Sequence, residues 1–339
     1  MTSLEIASLA AALSLSTGLL VVVVGAVWWI DRYDREPIHL VLGVFLWGAL
    51  AAPVFSVAGC SVVGFGLDIG TPAMVCWIGP LFEELAKAAG VVLVVFLSGE
   101  FDNPTDGLVY GTASGLGFAA TENLVYSVAG AGGSAIEGTL MMVLVRTALA
   151  AGIHAVASAT FGGFLGLAYL SRKRVDRLMW SGLGLTLATA IHAGWNFMLL
   201  GMETAADPVP LARWFIVVGL LYGFYLGALF IFLRSEKRIL SIELAEEVEL
   251  GVLPNWVLDV IPSYRRRIRS EWWPSRSERT VLARLLTRLA FRKYAVKRLP
   301  PGESQIAGLE VVQLRQRIRT MLVGGRQCQK SVEDDLPDI

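Results

Sequence analysis

Cysteine and charge are what this 339-residue chain has least of. Its three cysteines (Cys60, Cys76 and Cys328) show no framework spacing, which excludes a disulfide-stapled scaffold. Charged residues make up 17%, against roughly 25% in an ordinary soluble domain. Hydrophobic residues make up 55%. A soluble fold of this length cannot hide that much apolar chain and still present a wettable surface. The same hydrophobicity excludes intrinsic disorder. Phosphate-binding glycine loops, zinc-finger spacings and nucleic-acid motifs are missing, so no nucleic-acid partner is expected. What remains is an all-α polytopic membrane protein whose solvent is the lipid bilayer.

The formal net charge is zero, but it is unevenly placed. Residues 234–339 hold 20 of the 29 Lys+Arg and 14 of the 29 Asp+Glu. The chain therefore divides into an apolar domain, 1–233, and a basic region, 234–339. Seven segments reach the roughly 20 apolar residues that a crossing needs. They lie near 7–30, 38–65, 72–98, 106–129, 138–170, 178–200 and 209–233. The first lacks the basic n-region of a cleaved signal and reads as a retained span. The fifth is too long for one straight crossing. It is expected to break near Gly152, or to begin as an interfacial stretch around Gly138–Ala150.

Basic loops set the orientation. Ser171–Arg177 carries four basic residues, while the loops near Asp68, Gly130–Gly138 and Gly201–Pro208 carry none. This places the N-terminus outside and the C-terminus in the cytosol of an integral cell-membrane protein. The tail shows helical patterning at Ile239–Leu250, Val281–Arg292 and Gln313–Met321, and a basic stretch at Tyr264–Trp273. It reads as a solvated helical appendage resting on anionic headgroups.

Ionisable groups inside hydrocarbon are costly and need a reason. The third span holds Glu83, Glu84 and Lys87 just after Pro80. Glu83 and Lys87 are four apart and expected to pair, which leaves Glu84 without a partner. The fourth span holds Gly111 and Gly115 at close-approach spacing, then Glu122 with Asn123 beside it. The fifth carries Arg146, His154, Ser158 and Gly162 on one face, and the sixth carries His192 and Asn196 one turn apart.

A buried Glu can act as general base on water. Lys87 would tune or orient the carboxylates, and an imidazole would share the proton handling; Arg146 would neutralise a carboxylate or snorkel to an interface, and Asn123 would make an interhelical hydrogen bond or support the site. A second His and an Asn can donate to a developing oxyanion. These are parts for hydrolysing an amide with activated water. There is no Ser–His–Asp arrangement, and no Asp lies deep in a span. Two rivals stay open. His154, His192 and Glu83 could form a zinc site with an open position, although HExxH is missing. The same acids and imidazoles could serve a proton-coupled transporter, although no repeated halves are visible.

The ordered set Glu83-Glu84-x-x-Lys87, Gly115-Leu116-Gly117-Phe118-Ala119-x-x-Glu122-Asn123-x-x-Tyr126, His154 and His192-x-x-x-Asn196 resembles the PrsW family. That family belongs to the superfamily of the CAAX prenyl proteases (CPBP/ABI). The loop Asp31-Arg32-Tyr33-Asp34-Arg35-Glu36-Pro37 is similar too. The resemblance spans roughly residues 20–200 and leaves the tail uncovered. It implies an intramembrane endopeptidase acting on membrane-anchored proteins such as anti-sigma factors. By motif position it gives Glu83 the base role, with Glu84 beside it, and gives His192 and Asn196 the oxyanion role. The Phe-x-x-x-His of the prenyl proteases falls on Phe118-x-x-x-Glu122 here, so Glu122 or His154 would stand in for that His. No cofactor is needed on this reading; the description of PrsW proteins as metallopeptidases keeps zinc as the alternative.

Overall fold

A computed structural model describes residues 2–66, 69–131, 136–202, 209–269, 272–273 and 275–334. Among the described residues there are helices and no strands, as an all-α membrane chain requires. Asp68, residues 203–208 of the expected outer loop Gly201–Pro208, residues 132–135 of the one at Gly130–Gly138, and part of the basic stretch 264–273 lie outside the described residues.

Helices occupy all seven expected spans. They are α1 (Ser3–Ile30), α2 and α3 (Ile38–Leu46, Ala52–Gly66), and α4 and α5 (Thr71–Ala73, Gly79–Leu97). Then follow α6 (Pro104–Ala131), α7 and α8 (Ile136–Val145, Ala151–Tyr169), α9 (Arg174–Met202) and α10 (Val209–Glu249). Five are long and apolar enough to cross a membrane. The two that fall short are Thr71–Leu97, where Glu83, Glu84 and Lys87 fall together, and Pro104–Ala131, rich in Gly, Ser and Thr.

The chain divides into two compact units. The first comprises Met1–Ile30, Glu36–Tyr169 and Arg174–Phe230. Its centre is α6, buried on all sides from Thr105 to Ala119. Small residues make that possible. A Cβ on Gly107 would overlap the Gly162 backbone, one on Gly111 that of Ser158, and one on Gly115 that of His154. The Gly111–Gly115 spacing thus does what it suggested, and α6 and α8 lie backbone to backbone. The acidic loop before α6 caps it. Asn103 Oδ1 accepts from the backbone N–H of Thr105 (2.7 Å) and Asp106 (3.3 Å), while Asp106 Oδ2 accepts from those of Asp102 and Asn103.

The expected break near Gly152 does not occur. A π-helical turn, Arg146–Ala150, joins α7 to α8 instead. Two more π-turns, Trp47–Ala51 and Met74–Ile78, join α2 to α3 and α4 to α5. Each wide turn has a backbone carbonyl claimed by a neighbouring helix. Thr121 Oγ1 donates to Ala49 O, Asn196 Nδ2 to Val75 O at 2.9 Å, and Tyr222 OH to Ala148 O at 3.1 Å. The middle case is legible in the chain. In a π-turn the residue five ahead would donate to Val75 O, but that residue is Pro80, which has no N–H. An unpaired carbonyl in hydrocarbon is costly, and Asn196 satisfies it.

The second unit comprises Asp31–Arg35, Leu170–Lys173 and Ile231–Ile339. It contains the end of α10, α11 (Trp256–Val260), α12 (Tyr264–Arg267), α13 (Arg276–Arg298) and α14 (Pro301–Asp334). It is helical, as expected, and more tightly packed than the sequence indicated. Leu240, Leu244, Val257, Ile261, Leu282, Leu286, Leu289 and Ile318 form a core of its own. Charged stems join its helices as well: Glu247 accepts from Lys293 at 2.7 Å and from Arg315 at 2.6 and 2.8 Å. The loop residues Asp31–Arg35 pack with this unit, where Arg267 Nη1 donates to Tyr33 O at 3.0 Å and Tyr33 OH to Pro262 O at 3.2 Å.

Candidate active site

Most of the polar groups singled out in the spans of the first unit meet in one neighbourhood, supplied by α5, α6, α8, α9 and the π-turn Arg146–Ala150. The pairing within α5 differs from expectation. Lys87 pairs with Glu84, three residues back, rather than with Glu83. Both members are essentially inaccessible to solvent, at 0% and 1% exposure. Glu84 is fully engaged: Oε1 accepts from Lys87 Nζ and from His192 Nδ1 (2.9 Å), and Oε2 from Ser158 Oγ (3.1 Å). The reason lies in the neighbours. Glu84 points inward, where the cation, imidazole and hydroxyl converge, and Glu83 is turned toward the edge of the cluster.

Glu83 is the carboxylate left over. Its Oε2 is buried without a hydrogen-bond partner, 3.6 Å from His192 Nε2. His154 is held from both sides. Its Nδ1 lies 3.1 Å from Lys87 Nζ and its Nε2 lies 2.6 Å from Glu122 Oε2. The two imidazoles meet edge to face with centroids 4.7 Å apart. Glu122 is held in turn by Arg146 Nη2 at 3.0 Å. Arg146 lies over the Tyr126 ring and donates through Nε to Asn123 Oδ1 at 3.2 Å. Asn123 Nδ2 donates to Ser16 Oγ and Thr147 Oγ1.

Glu83, Glu84, Lys87, His154 and His192 therefore form one cluster, and Glu122, Arg146 and Asn123 form a chain leading into it. Asn196 sits one turn beyond His192, with one amide hydrogen given to Val75 O. Sequence reasoning missed Ser16 and Thr147, which hold Asn123. Lone hydroxyls in apolar helices carry no signal of their own.

A metal could be held by three of these groups. Glu83, His154 and His192 each offer one ligand atom, and those atoms all lie within 4.8 Å of one another. Two imidazoles and a carboxylate are a donor set of catalytic zinc. His192 suits the role well, because Glu84 fixes its Nδ1 and leaves Nε2 facing the cluster.

Residues 36–233 match the family model described as PrsW family intramembrane metalloprotease. The chain belongs to the PrsW family. Protease PrsW of Bacillus subtilis (strain 168) is 30% identical over 175 residues, covering 51% of this chain and 75% of that protein. Protease PrsW of Geobacillus kaustophilus is 29% identical over 198 residues (58% and 76%), and that of Clostridioides difficile is 22% identical over 179 (51% and 74%). No solved structure matches the chain. The chain is thus a multi-pass integral membrane peptidase whose substrate is a membrane-embedded protein, and the expectation of a proton-coupled carrier gives way. The family match ends at residue 233 and leaves nearly all of the C-terminal part of the second unit uncovered.

Proposed function

We propose that the chain cleaves a peptide bond of a membrane-anchored protein within the bilayer, using a water molecule activated by Glu83. The observation that carries this reading is the buried, unpartnered Oε2 of Glu83 beside His192 Nε2. A water lodged between these two atoms would be within reach of both. Glu83 takes a proton from that water as its oxygen bonds to the scissile carbonyl carbon. The same proton then passes to the leaving nitrogen as the C–N bond breaks. Glu84 binds no substrate on this reading; it fixes the imidazole of His192. Asn196 has a second amide hydrogen, beyond the one given to Val75, for the developing oxyanion. The substrate class, a single-span regulator such as an anti-sigma factor, rests on the family resemblance alone. An outside N-terminus rests on the basic loop Ser171–Arg177 and the basic tail.

A second reading has its own support in the clustered ligand atoms of Glu83, His154 and His192. A zinc ion bound there would act as a Lewis acid on a water or a carbonyl. Under it, Glu84 orients His192 as before, and Arg146 keeps Glu122 beside His154.

The test is cleavage of a single-span reporter by purified protein in detergent or nanodiscs. Native protein cuts, and Glu83→Gln loses at least 100-fold, within the range that general base catalysis supplies. Full activity of Glu83→Gln would end the proposal. Activity that survives chelation in protein free of metal selects the first reading; stoichiometric zinc, lost together with activity, selects the second.

A further inference from the structure

A groove of about 440 Å³ in the first unit takes no part in the catalysis proposed for Glu83. It lies between α2 and the last two turns of α5. Val44, Gly90 and Val94 form its buried floor, and the more exposed Leu40, Leu93, Leu97 and Trp47 flank them. Pro37, His39, Ser98 and Glu100 line one end.

The lining recurs at helical spacing on both elements. Leu40, Gly43, Val44 and Trp47 follow one stripe of α2 and its π-turn, and Gly90, Leu93, Val94 and Leu97 follow one stripe of α5. Two apolar stripes side by side make a trough for a third helix. Gly43 leaves room for it, since a Cβ there would meet nothing within 4 Å. Trp47 closes the inner end: its Nε1 donates to Ala86 O at 2.9 Å, and a Cβ on Gly90 would overlap the indole. Glu83 lies on the same stripe of α5 as Gly90. Seven residues bring an α-helix back to within about 20° of its starting direction and advance it about 10 Å.

The open end is acidic. Ser98–Asp106 carries Glu100, Asp102 and Asp106 and no Lys or Arg. Asp102 and Asp106 are buried in the cap of α6, and Glu100 lines the mouth of the groove.

We infer that this groove docks the membrane-spanning helix of the substrate, with Glu100 receiving the Lys/Arg flank of that helix. The choice of occupant rests on the peptidase reading. The basic-loop rule that orients this chain also makes the cytosolic flank of a single-span protein basic, so mouth and flank are complementary. A span seated between α2 and α5 runs along α5 toward Glu83, and its continuation past Trp47 reaches that carboxylate about two turns beyond Gly90. An anionic phospholipid, the rival occupant, would meet a carboxylate at the mouth.

The test uses the full chain in nanodiscs with a single-span reporter of about 20 apolar residues and a lysine-rich cytosolic flank, beside a truncated peptide holding only the scissile sequence found from the reporter's products. Gly43→Leu fills the groove and should raise the apparent KM for the reporter about tenfold, leave kcat within about twofold, and leave cleavage of the truncated peptide unchanged. Glu100→Gln should raise KM about two- to fivefold, an effect lost when the flanking lysines are replaced by serine. A photoreactive residue placed at Leu97 in the Glu83→Gln chain should capture the reporter beside its lysines. An unchanged KM in Gly43→Leu, or crosslinks from Leu97 to lipid alone, would overturn the inference. Should Gly43→Leu fail to fold, the Leu97 crosslink and Glu100→Gln still decide. A reporter captured at Leu97 but never cut by the native chain would keep the docking site and defeat the peptidase mechanism. A reporter cut equally well by native chain and Gly43→Leu would do the reverse.

Discussion

Two adjacent glutamates of one helix should fail in different ways when each is made neutral. Glu84 holds three donors, and one of them is an ammonium with no access to water. In Glu84→Gln the amide oxygen can still accept from Ser158 or His192, but Lys87 becomes a buried cation without its counter-charge. Removing one partner of a buried ion pair costs about 3–5 kcal/mol. For a body of roughly 200 residues that corresponds to a fall in melting temperature of about 6–20 °C, at about 2–4 °C per kcal/mol. Glu83→Gln removes no hydrogen bond, because Oε2 has none, so stability should hold within about 1 kcal/mol while reporter cleavage is lost. Adding Lys87→Met to Glu84→Gln removes the stranded cation and should recover part of the loss. Thermal unfolding of the three variants in one detergent, run beside the cleavage assay, gives both axes. Equal melting temperatures for Glu83→Gln and Glu84→Gln, or a larger drop for Glu83→Gln, would refute the division of roles drawn from the contacts.

Three further outcomes follow from the packing. Gly111→Leu and Gly115→Leu drive side chains into the α8 backbone and should abolish folded, detergent-soluble protein, whereas Gly18→Leu, with nothing near its Cβ position, should leave yield and melting unchanged. Asn196→Ala strands Val75 O at the π-turn before Glu83; it should cost about 1–3 kcal/mol and at least tenfold in cleavage, with Asn196→Gln not restoring either. Arg146→Ala should loosen Glu122 and lower the turnover rate more than the reporter's apparent affinity, and Arg146→Lys should recover part of it, since one of the two contacts made by the guanidinium is within reach of a single ammonium.

The helical class, the seven helical segments and the membership of the polar cluster were all legible in the chain. The reason is physical. Polar residues within hydrocarbon are so costly that their positions stand out against a uniform background, and small residues four apart announce a close helix contact. Finer matters were hidden. Helical spacing offered Lys87 to Glu83, but spacing reports only which side chains can meet along one helix. Ser158 and His192, supplied by other helices, decide which carboxylate turns inward. The π-turn at Arg146–Ala150 was invisible because nothing in its composition differs from α-helix; a long span announced an irregularity, and Gly152 was the wrong place for it. Gly152 instead makes room for the Tyr222 hydroxyl. The core of the tail was hidden for a different reason. Its apolar residues are diluted by arginine, and the core they build needs α10, α13 and α14 together.

The three widened turns bear on how this chain tolerates insertions and deletions. A π-turn accommodates one residue more than the α-helix around it, and one residue is worth about 100° of rotation about the axis. Deleting a single residue from Met74–Ile78 would close that turn to α-helix and leave Glu83 and Glu84 facing the cluster, and deleting one from Arg146–Ala150 would do the same for His154, whereas a deletion elsewhere in these helices would turn them away. Either loss would be nearly silent in hydrophobicity and length. Single-residue gaps at these two places in related chains would therefore mark proteins whose wide turn has closed while their acids and imidazoles keep the same phase.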